Sequence, residues 1–164
     1  MFTQNISFKN FLIKKKKLVV KKNLNLILNE KNQVISSLSK SYKDSFSKKN
    51  TKHFNKKFDY RIIGMGGSTL GAQAIYDFLK KKIKKKFIFV DNLNPFDNKK
   101  VKKNLNNLII SKSGNTTETI VNANILIKKK DKNLFITEKK ESYLSLLAQK
   151  LKAEVVDHNN YIGG

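Results

Sequence analysis

The chain has 164 residues, enough for one domain with a hydrophobic core, and 39% of them are hydrophobic. It contains no cysteine, which excludes disulfides, thiolate metal ligands and thiol catalysis. The formal net charge of +23 suggests a polyanionic partner, yet of the 35 basic residues only Arg61 is an arginine, the residue that specific nucleic-acid sites favour. Asparagine and isoleucine are also abundant, so we attribute the lysine excess to codon composition and predict no specific nucleic-acid partner.

Residues 1–57 contain neither glycine nor proline and carry apolar residues at helical spacing. This pattern predicts helices that flank a domain, with the lysine-rich start through Lys22 as an alternative frayed arm. No apolar segment is long enough for a secretory signal or a membrane span, so we predict no membrane partner. His53 lies in a basic stretch without a neighbouring carboxylate and is interpreted as a surface residue.

From residue 58 onward, short apolar runs alternate with helical patterns. The predicted strands are 60–64, 87–90, 108–111, 134–137 and 154–156, and the predicted helices are 70–82, a weaker 95–104, 116–130 and 141–152. The alternation predicts an α/β fold over residues 58–164, a doubly wound five-stranded parallel sheet in a flavodoxin-like three-layer sandwich, preceded by the helical flank 1–57. Ligands of such a sheet bind beyond the carboxyl ends of the strands.

Glycine is concentrated after the first predicted strand, where four of the seven glycines fall within residues 64–71. The loop is not a Walker A motif, because Ala72 stands where the lysine belongs, and Thr69 replaces the third glycine of a dinucleotide fingerprint. Its glycines allow close approach of a ligand, Ser68 offers a hydroxyl, and the next helix offers free amides to an anion. The same glycines also suit a plain strand-to-helix turn, so both interpretations stay open for this loop alone.

Hydroxyl side chains crowd around Gly114 between the third predicted strand and the following helix. They belong to Ser111, Ser113, Thr116 and Thr117. A helix cap needs one such side chain, whereas four of them form a hydrogen-bonding cup for the oxygens of a phosphate monoester, to which Lys112 adds positive charge.

Three segments in this order, residues 63–71, 111–119 and 161–164, resemble the first sugar-isomerase (SIS) domain of the glucose-6-phosphate isomerase family. The resemblance covers about residues 58–164. It implies an aldose-ketose isomerase that interconverts glucose 6-phosphate and fructose 6-phosphate in glycolysis and gluconeogenesis. It further implies a cytoplasmic enzyme that needs no cofactor or metal and forms a homodimer at full length.

The resemblance also implies a set of phosphosugar-binding residues, with the lysine acting through its backbone. These residues are Gly67, Ser68, Ser111, Lys112, Ser113 and Thr116. In the family the closing Gly-Gly is followed by an arginine that assists catalysis, and a second domain carries the glutamate that moves the proton. We therefore expect the catalytic residues beyond Gly164, none in this chain, and an inactive fragment. His158 receives no catalytic role.

Two other functions remain open at the level of sequence. The family's isomerases commonly have threonine and a bulky residue where Ser113 and Gly114 stand, and Ser-Gly-Asn-Thr is closer to the wider group of SIS domains. A stand-alone phosphosugar-binding module without catalysis is therefore one alternative. A nucleic-acid binder that acts through its lysines is the other, and its binding would collapse with added salt unless it were specific.

Overall fold

The computed structural model describes residues 18–43, 45–46, 59–93 and 105–163. The chain divides into two compact units, residues 1–42 and 43–164. The predicted boundary between residues 57 and 58 lies outside the described residues, as does the weaker helix predicted over 95–104. The described part contains no helix long and apolar enough to cross a membrane.

The described part of the first unit, residues 18–42, contains two helices, α1 over Leu18–Asn29 and α2 over Gln33–Ser36. Lys22 is thus helical rather than part of a frayed arm. The helices are separate because the Asn32 side chain caps a new start, accepting a hydrogen bond from the Val34 amide at 2.8 Å. Local capping therefore interrupts an apolar spacing that continues through both helices.

The second unit is an α/β domain. Its elements are β1 Asp59–Ile63, α3 Gly67–Leu79, β2 Phe87–Val90, β3 Leu105–Ile110, α4 Thr117–Leu126, β4 Lys132–Thr137, α5 Tyr143–Leu151 and β5 Glu154–Asp157. All strand pairs are parallel, and the strand order is β2-β1-β3-β4-β5. The predicted five-stranded parallel sheet is confirmed, and its order is the flavodoxin-like one.

Helices cover both faces of this sheet. On one face α3 places Tyr76 against β2, with ring centroids 5.1 Å from Phe87 and 6.0 Å from Phe89. On the other face α4 and α5 close over a fully buried cluster made of Ile63, Ile109, Ala123, Phe135, Leu144 and Ala148. The predicted three-layer sandwich follows from this alternation of faces along each strand.

Strand β3 begins at Leu105, three residues before its predicted start, because two asparagines occupy buried positions in it. Asn107 is fully buried and its amide donates to the Asn133 side-chain oxygen on β4 at 2.8 Å. The Asn133 amide in turn donates to the Lys128 carbonyl at 3.1 Å. The Asn107–Asn133 hydrogen bond supports a strand whose sequence does not look apolar, although the Asn106 Nδ2 and the Asn107 Oδ1 have no hydrogen-bond partner among the described residues.

The single arginine is a core residue. Arg61 on β1 is 3% exposed, and its Nη1 donates to the Leu126 carbonyl at the end of α4 at 2.8 Å. Burial lowers the pKa of the guanidinium, while the negative charge of Asp131 opposes that effect. Arg61 therefore ties α4 to the sheet and is not available to a nucleic acid.

The order of the strands creates one crevice at the carboxyl edge of the sheet. The connection after β1 leads to β2 on one side of the β1–β3 pair, and the connection after β3 leads to β4 on the other side. The connections that follow these two neighbouring strands therefore diverge. Such a switch point is where open parallel sheets bind ligands. Both loops singled out in the sequence, after β1 and after β3, begin there.

Candidate functional site

The first loop, residues 64–66, lies against the end of β3. A Cβ atom on Gly64 would come within 2.9 Å of the Ile110 carbonyl oxygen and 3.1 Å of the Thr69 methyl carbon. Only glycine permits this approach of the two strand ends. Gly66 has a φ of +55°, and Gly67 and Ser68 then begin α3, with Gly67 exposed and Ser68 half-buried.

The second loop, residues 111–116, brings two of the predicted hydroxyls together. Ser111 is 2% exposed, and its Oγ lies 2.9 Å from the Thr116 Oγ1. The Ser111 Oγ also accepts from the Gly114 amide at 3.2 Å. Ser113 is exposed, and its hydroxyl accepts from the Asn115 amide at 3.2 Å instead. The structure thus pairs buried Ser111 with half-buried Thr116 and leaves Ser113 exposed beside them, while the cup itself stays a prediction.

Gly114 packs the second loop onto the start of α5. Its φ is +70°, and an added Cβ would lie 2.6 Å from the Ser142 Cβ and 2.9 Å from the Thr137 Oγ1. The Gly114 carbonyl accepts from the Leu144 amide at 3.0 Å. Gly114 therefore holds the second loop against the end of β4 and the start of α5. This packing requires both its positive φ and its lack of a side chain.

The helices that begin at this edge of the sheet differ in how their first turns are capped. Helix α3 begins after Gly66 and α4 after Thr116, and neither cap residue makes a side-chain hydrogen bond to its helix. Helix α5 instead has a reciprocal capping box between Ser142 and Ser145. The amides of the first turns of α3 and α4 thus lack a side-chain acceptor among the described residues, an arrangement that favours an anion.

The third segment, after β5, turns back along the carboxyl edge to the second loop. The Lys112 Nζ donates to the Ile162 carbonyl oxygen at 2.6 Å. Strand β5 is two positions away from β3 in the sheet, so this contact crosses the end of β4. The first segment therefore lies against Ile110, the last residue of β3 and the one before the second segment, and the second segment contacts the third through Lys112 and Ile162.

A carboxylate overlooked in the sequence lies beside this contact. Glu138, 14% exposed at its side chain, is 3.9 Å from the Lys112 Nζ and 2.6 Å from the Lys140 Nζ. The hydrogen bond from Lys140 lowers the pKa of the Glu138 carboxyl below its ordinary value of 4.5. The charges of Lys140, Lys112 and His158 act in the same direction, and burial opposes them. Glu138 directly follows β4, and that position alone could have marked it, because ligands gather at strand ends.

Glu138 and His158, two of the titratable residues at this edge, are not arranged for proton transfer. A carboxyl with a lowered pKa is a weak base, whereas abstraction of a carbon-bound proton calls for one that titrates near the working pH. The His158 Nδ1 lies 3.0 Å from the Asn159 carbonyl oxygen, so that ring nitrogen is already engaged. No group of three or more metal-ligating side chains occurs in the part of the chain that the structure describes.

Comparison with known proteins identifies the family. The family model for phosphoglucose isomerase matches residues 12–162, which is most of the chain. This chain belongs to the phosphoglucose isomerase family. A glucose-6-phosphate isomerase from Borrelia garinii is 35% identical to it over 135 residues, which are 72% of the chain and 25% of the relative. The enzyme of the same name from Methanocaldococcus jannaschii is 42% identical over 105 residues, which are 61% of the chain and 25% of the relative.

As a member of the phosphoglucose isomerase family, the chain spans about a quarter of the length of these relatives. Its fold is also found in the solved structure of tagatose-6-phosphate ketose/aldose isomerase from Escherichia coli. The TM-score is 0.54 at 20% identity, with 69% of this chain and 33% of the other covered. At that identity the likeness concerns the fold.

Proposed function

We propose that this chain supplies the phosphosugar-binding part of a glucose-6-phosphate isomerase, which interconverts glucose 6-phosphate and fructose 6-phosphate. Membership of the phosphoglucose isomerase family supports the proposal. The observation that carries it is the placement of the three family segments along one edge of the sheet, with Gly64 against the end of β3 and Lys112 against Ile162.

The phosphate of the sugar would bind at the start of α4. Its oxygens would accept from the free amides of the first helical turn and from the hydroxyls of Ser111 and Thr116, now 2.9 Å apart. Ser113 at the rim and the Lys112 backbone complete this group. Gly67 and Ser68 approach from the start of α3, where a glycine leaves room for the sugar. All of these contacts would hold the ligand without performing the reaction.

The proton transfer itself is assigned to residues outside this chain. Isomerisation through an enediol needs a base at the carbon next to the carbonyl, and neither Glu138 nor His158 is arranged for that task. Fragment inactivity, a cytoplasmic location and a homodimer with shared active sites belong to the same proposal and rest on the family resemblance.

The experiment that tests the binding role removes the two paired hydroxyls. Ser111→Ala combined with Thr116→Ala should weaken glucose 6-phosphate binding by about tenfold or more, because each lost hydroxyl contact to a charged ligand is worth more than a neutral hydrogen bond. Titration of the melting temperature with glucose 6-phosphate measures this loss. Thr117→Ala, which removes an exposed hydroxyl from the same turn, is the matched control and should bind normally. Equal ligand-induced stabilisation of the double variant and the wild type would refute the assignment.

A coupled assay of fructose 6-phosphate conversion to glucose 6-phosphate separates the proposal from the alternative. We expect no turnover from the 164-residue chain and turnover from the full reading frame of its gene. Turnover by the chain alone would show that the base lies within it. Ligand binding without turnover by either form would favour a phosphosugar-binding module, the alternative supported by the Ser-Gly-Asn-Thr sequence of the second loop.

A further inference from the structure

The side chain of Lys112 leaves the loop to which it belongs. Its backbone carbonyl is engaged with β4, accepting from the Glu138 amide at 3.1 Å. Its Nζ reaches the Ile162 carbonyl at 2.6 Å and lies 3.9 Å from the Glu138 carboxylate. The side chain is 30% exposed, which leaves a flexible lysine free to extend into solvent if nothing held it.

The segment that receives this contact has a short internal support. The Ile162 amide donates to the Asn159 carbonyl at 3.1 Å, which closes one turn after β5. Gly163 follows, and an added Cβ there would meet nothing within 4 Å among the described residues. The Lys112 ammonium therefore adds a charged hydrogen bond between this segment and the second loop.

Glu138 explains why the ammonium points this way. Its carboxylate lies between the Lys112 and Lys140 ammonium groups, and the hydrogen bond to Lys140 fixes its second oxygen at 2.6 Å. A carboxylate held in this position draws the Lys112 charge toward the end of β4. The Lys112 ammonium thus interacts with the Ile162 carbonyl and the Glu138 carboxylate when no anion is bound at α4.

The geometry points to Lys112 as a positioning residue that acts through its side chain: it ties the turn after β5, residues 159–163, which includes the described part of the third segment, to the second loop, and Glu138 holds it in that orientation. The functional meaning of this tie rests on the proposed function, because the tied segment borders the crevice assigned to the sugar. The tie itself exists in the protein without ligand.

Hydrogen exchange of the whole 164-residue chain tests the tie without ligand. Lys112→Met keeps the aliphatic stem and removes the charge, and loss of a charged hydrogen bond should speed exchange of residues 159–163 about tenfold or more. Exchange of the β strands should not change, and Lys112→Arg should restore much of the protection. Lys130→Met is the control, since Lys130 is exposed in the connection between α4 and β4, at the opposite edge of the sheet, and should leave the segment unaffected.

Binding of inorganic phosphate distinguishes a positioning role of the Lys112 side chain from direct contact of that side chain with the anion. Lys112→Met keeps the Lys112 backbone that the proposed anion site uses, so the exchange of residues 159–163, and not the phosphate affinity, is the measurement that reports the tie. A loss of about tenfold or more in phosphate affinity with unchanged exchange of residues 159–163 would make Lys112 a direct ligand and overturn the inference. Unchanged exchange together with unchanged binding would equally refute it. Failure of the wild type to bind phosphate or glucose 6-phosphate would count against the proposed function, while the exchange result would still decide the tie.

Discussion

At the scale of single residues, Gly114 combines two requirements that no other amino acid meets together. Its positive φ of +70° strains any residue with a side chain, and an added Cβ would collide with Ser142 and Thr137. Gly114→Ala should therefore destabilise the protein by about 3 kcal/mol, the sum of left-handed strain and overpacking. Urea unfolding followed by circular dichroism measures the change.

Gly71 provides the matched comparison. It lies within α3, and an added Cβ there would meet none of the described atoms within 4 Å. Gly71→Ala should stabilise the protein by about 0.5–1 kcal/mol, because alanine loses less backbone entropy in a helix. If both alanine variants unfolded like the wild type, the packing role assigned to Gly114 would be wrong.

Glu138 gives the protein a dependence on pH that can be isolated. The Lys140 hydrogen bond and the surrounding positive charges lower the pKa of its carboxyl below 4.5 in the folded state. A lowered carboxyl pKa contributes stability that is present above the unfolded-state value and is lost as pH falls through the folded-state value. Glu138→Gln should therefore melt below the wild type at pH 7, and the difference should shrink as pH falls below 4.5.

Melting curves measured from about pH 3 to about pH 7, a range that brackets ordinary carboxyl pKa values, check this expectation. Glu141→Gln serves as the control because Glu141 is an exposed carboxylate of the same connection. A gap between the wild type and Glu138→Gln that stayed constant down to the lowest pH would mean that Glu138 titrates alike in the folded and unfolded protein.

At the scale of elements, hydrophobic spacing predicted each of the five strands and three of the helices of the α/β domain, because burial between two helical layers demands apolar runs. Spacing failed where polar groups decide the structure. Strand β3 begins early because Asn107 pairs with Asn133 across the sheet. Helices α1 and α2 are separate because Asn32 caps the second of them. Each of these contacts depends on the geometry of a particular polar side chain, which a pattern of apolar residues does not encode.

The position of a phenylalanine relative to the sheet predicts how much its truncation destabilises the protein. Phe135 on β4 is fully buried in the core cluster under α4 and α5, whereas Phe78 on α3 is 88% exposed. Phe135→Ala should cost about 3–5 kcal/mol through lost burial and the cavity left behind. Phe78→Ala should change stability by less than about 0.5 kcal/mol. Chemical denaturation of the two variants in parallel measures the contrast, and similar losses for both would place the core elsewhere.

At the scale of the whole molecule, the placement of the first and second loops along one edge follows from the predicted parallel sheet, since parallel strands end at a common edge. The return of the third segment does not follow. It depends on the reach of the Lys112 side chain across β4 and on Glu138, a tertiary arrangement with no local sequence signal. The roles of the six predicted binding residues stay predictions until a ligand is measured.

The net charge of +23 predicts binding to polyanions without specificity. The only arginine is buried, so exposed lysines would carry the contacts. The affinity for a heparin or DNA column should fall by about a thousandfold or more between 50 and 200 mM salt.

Two exposed lysine triplets, 80–82 and 128–130, offer matched variants in different parts of the domain. Replacement of either triplet by glutamine should weaken retention equally, because a charge that acts only through counterion release has no preferred location. A much larger effect of one triplet, or retention that depends on base sequence, would instead reveal a defined nucleic-acid surface and favour the alternative function.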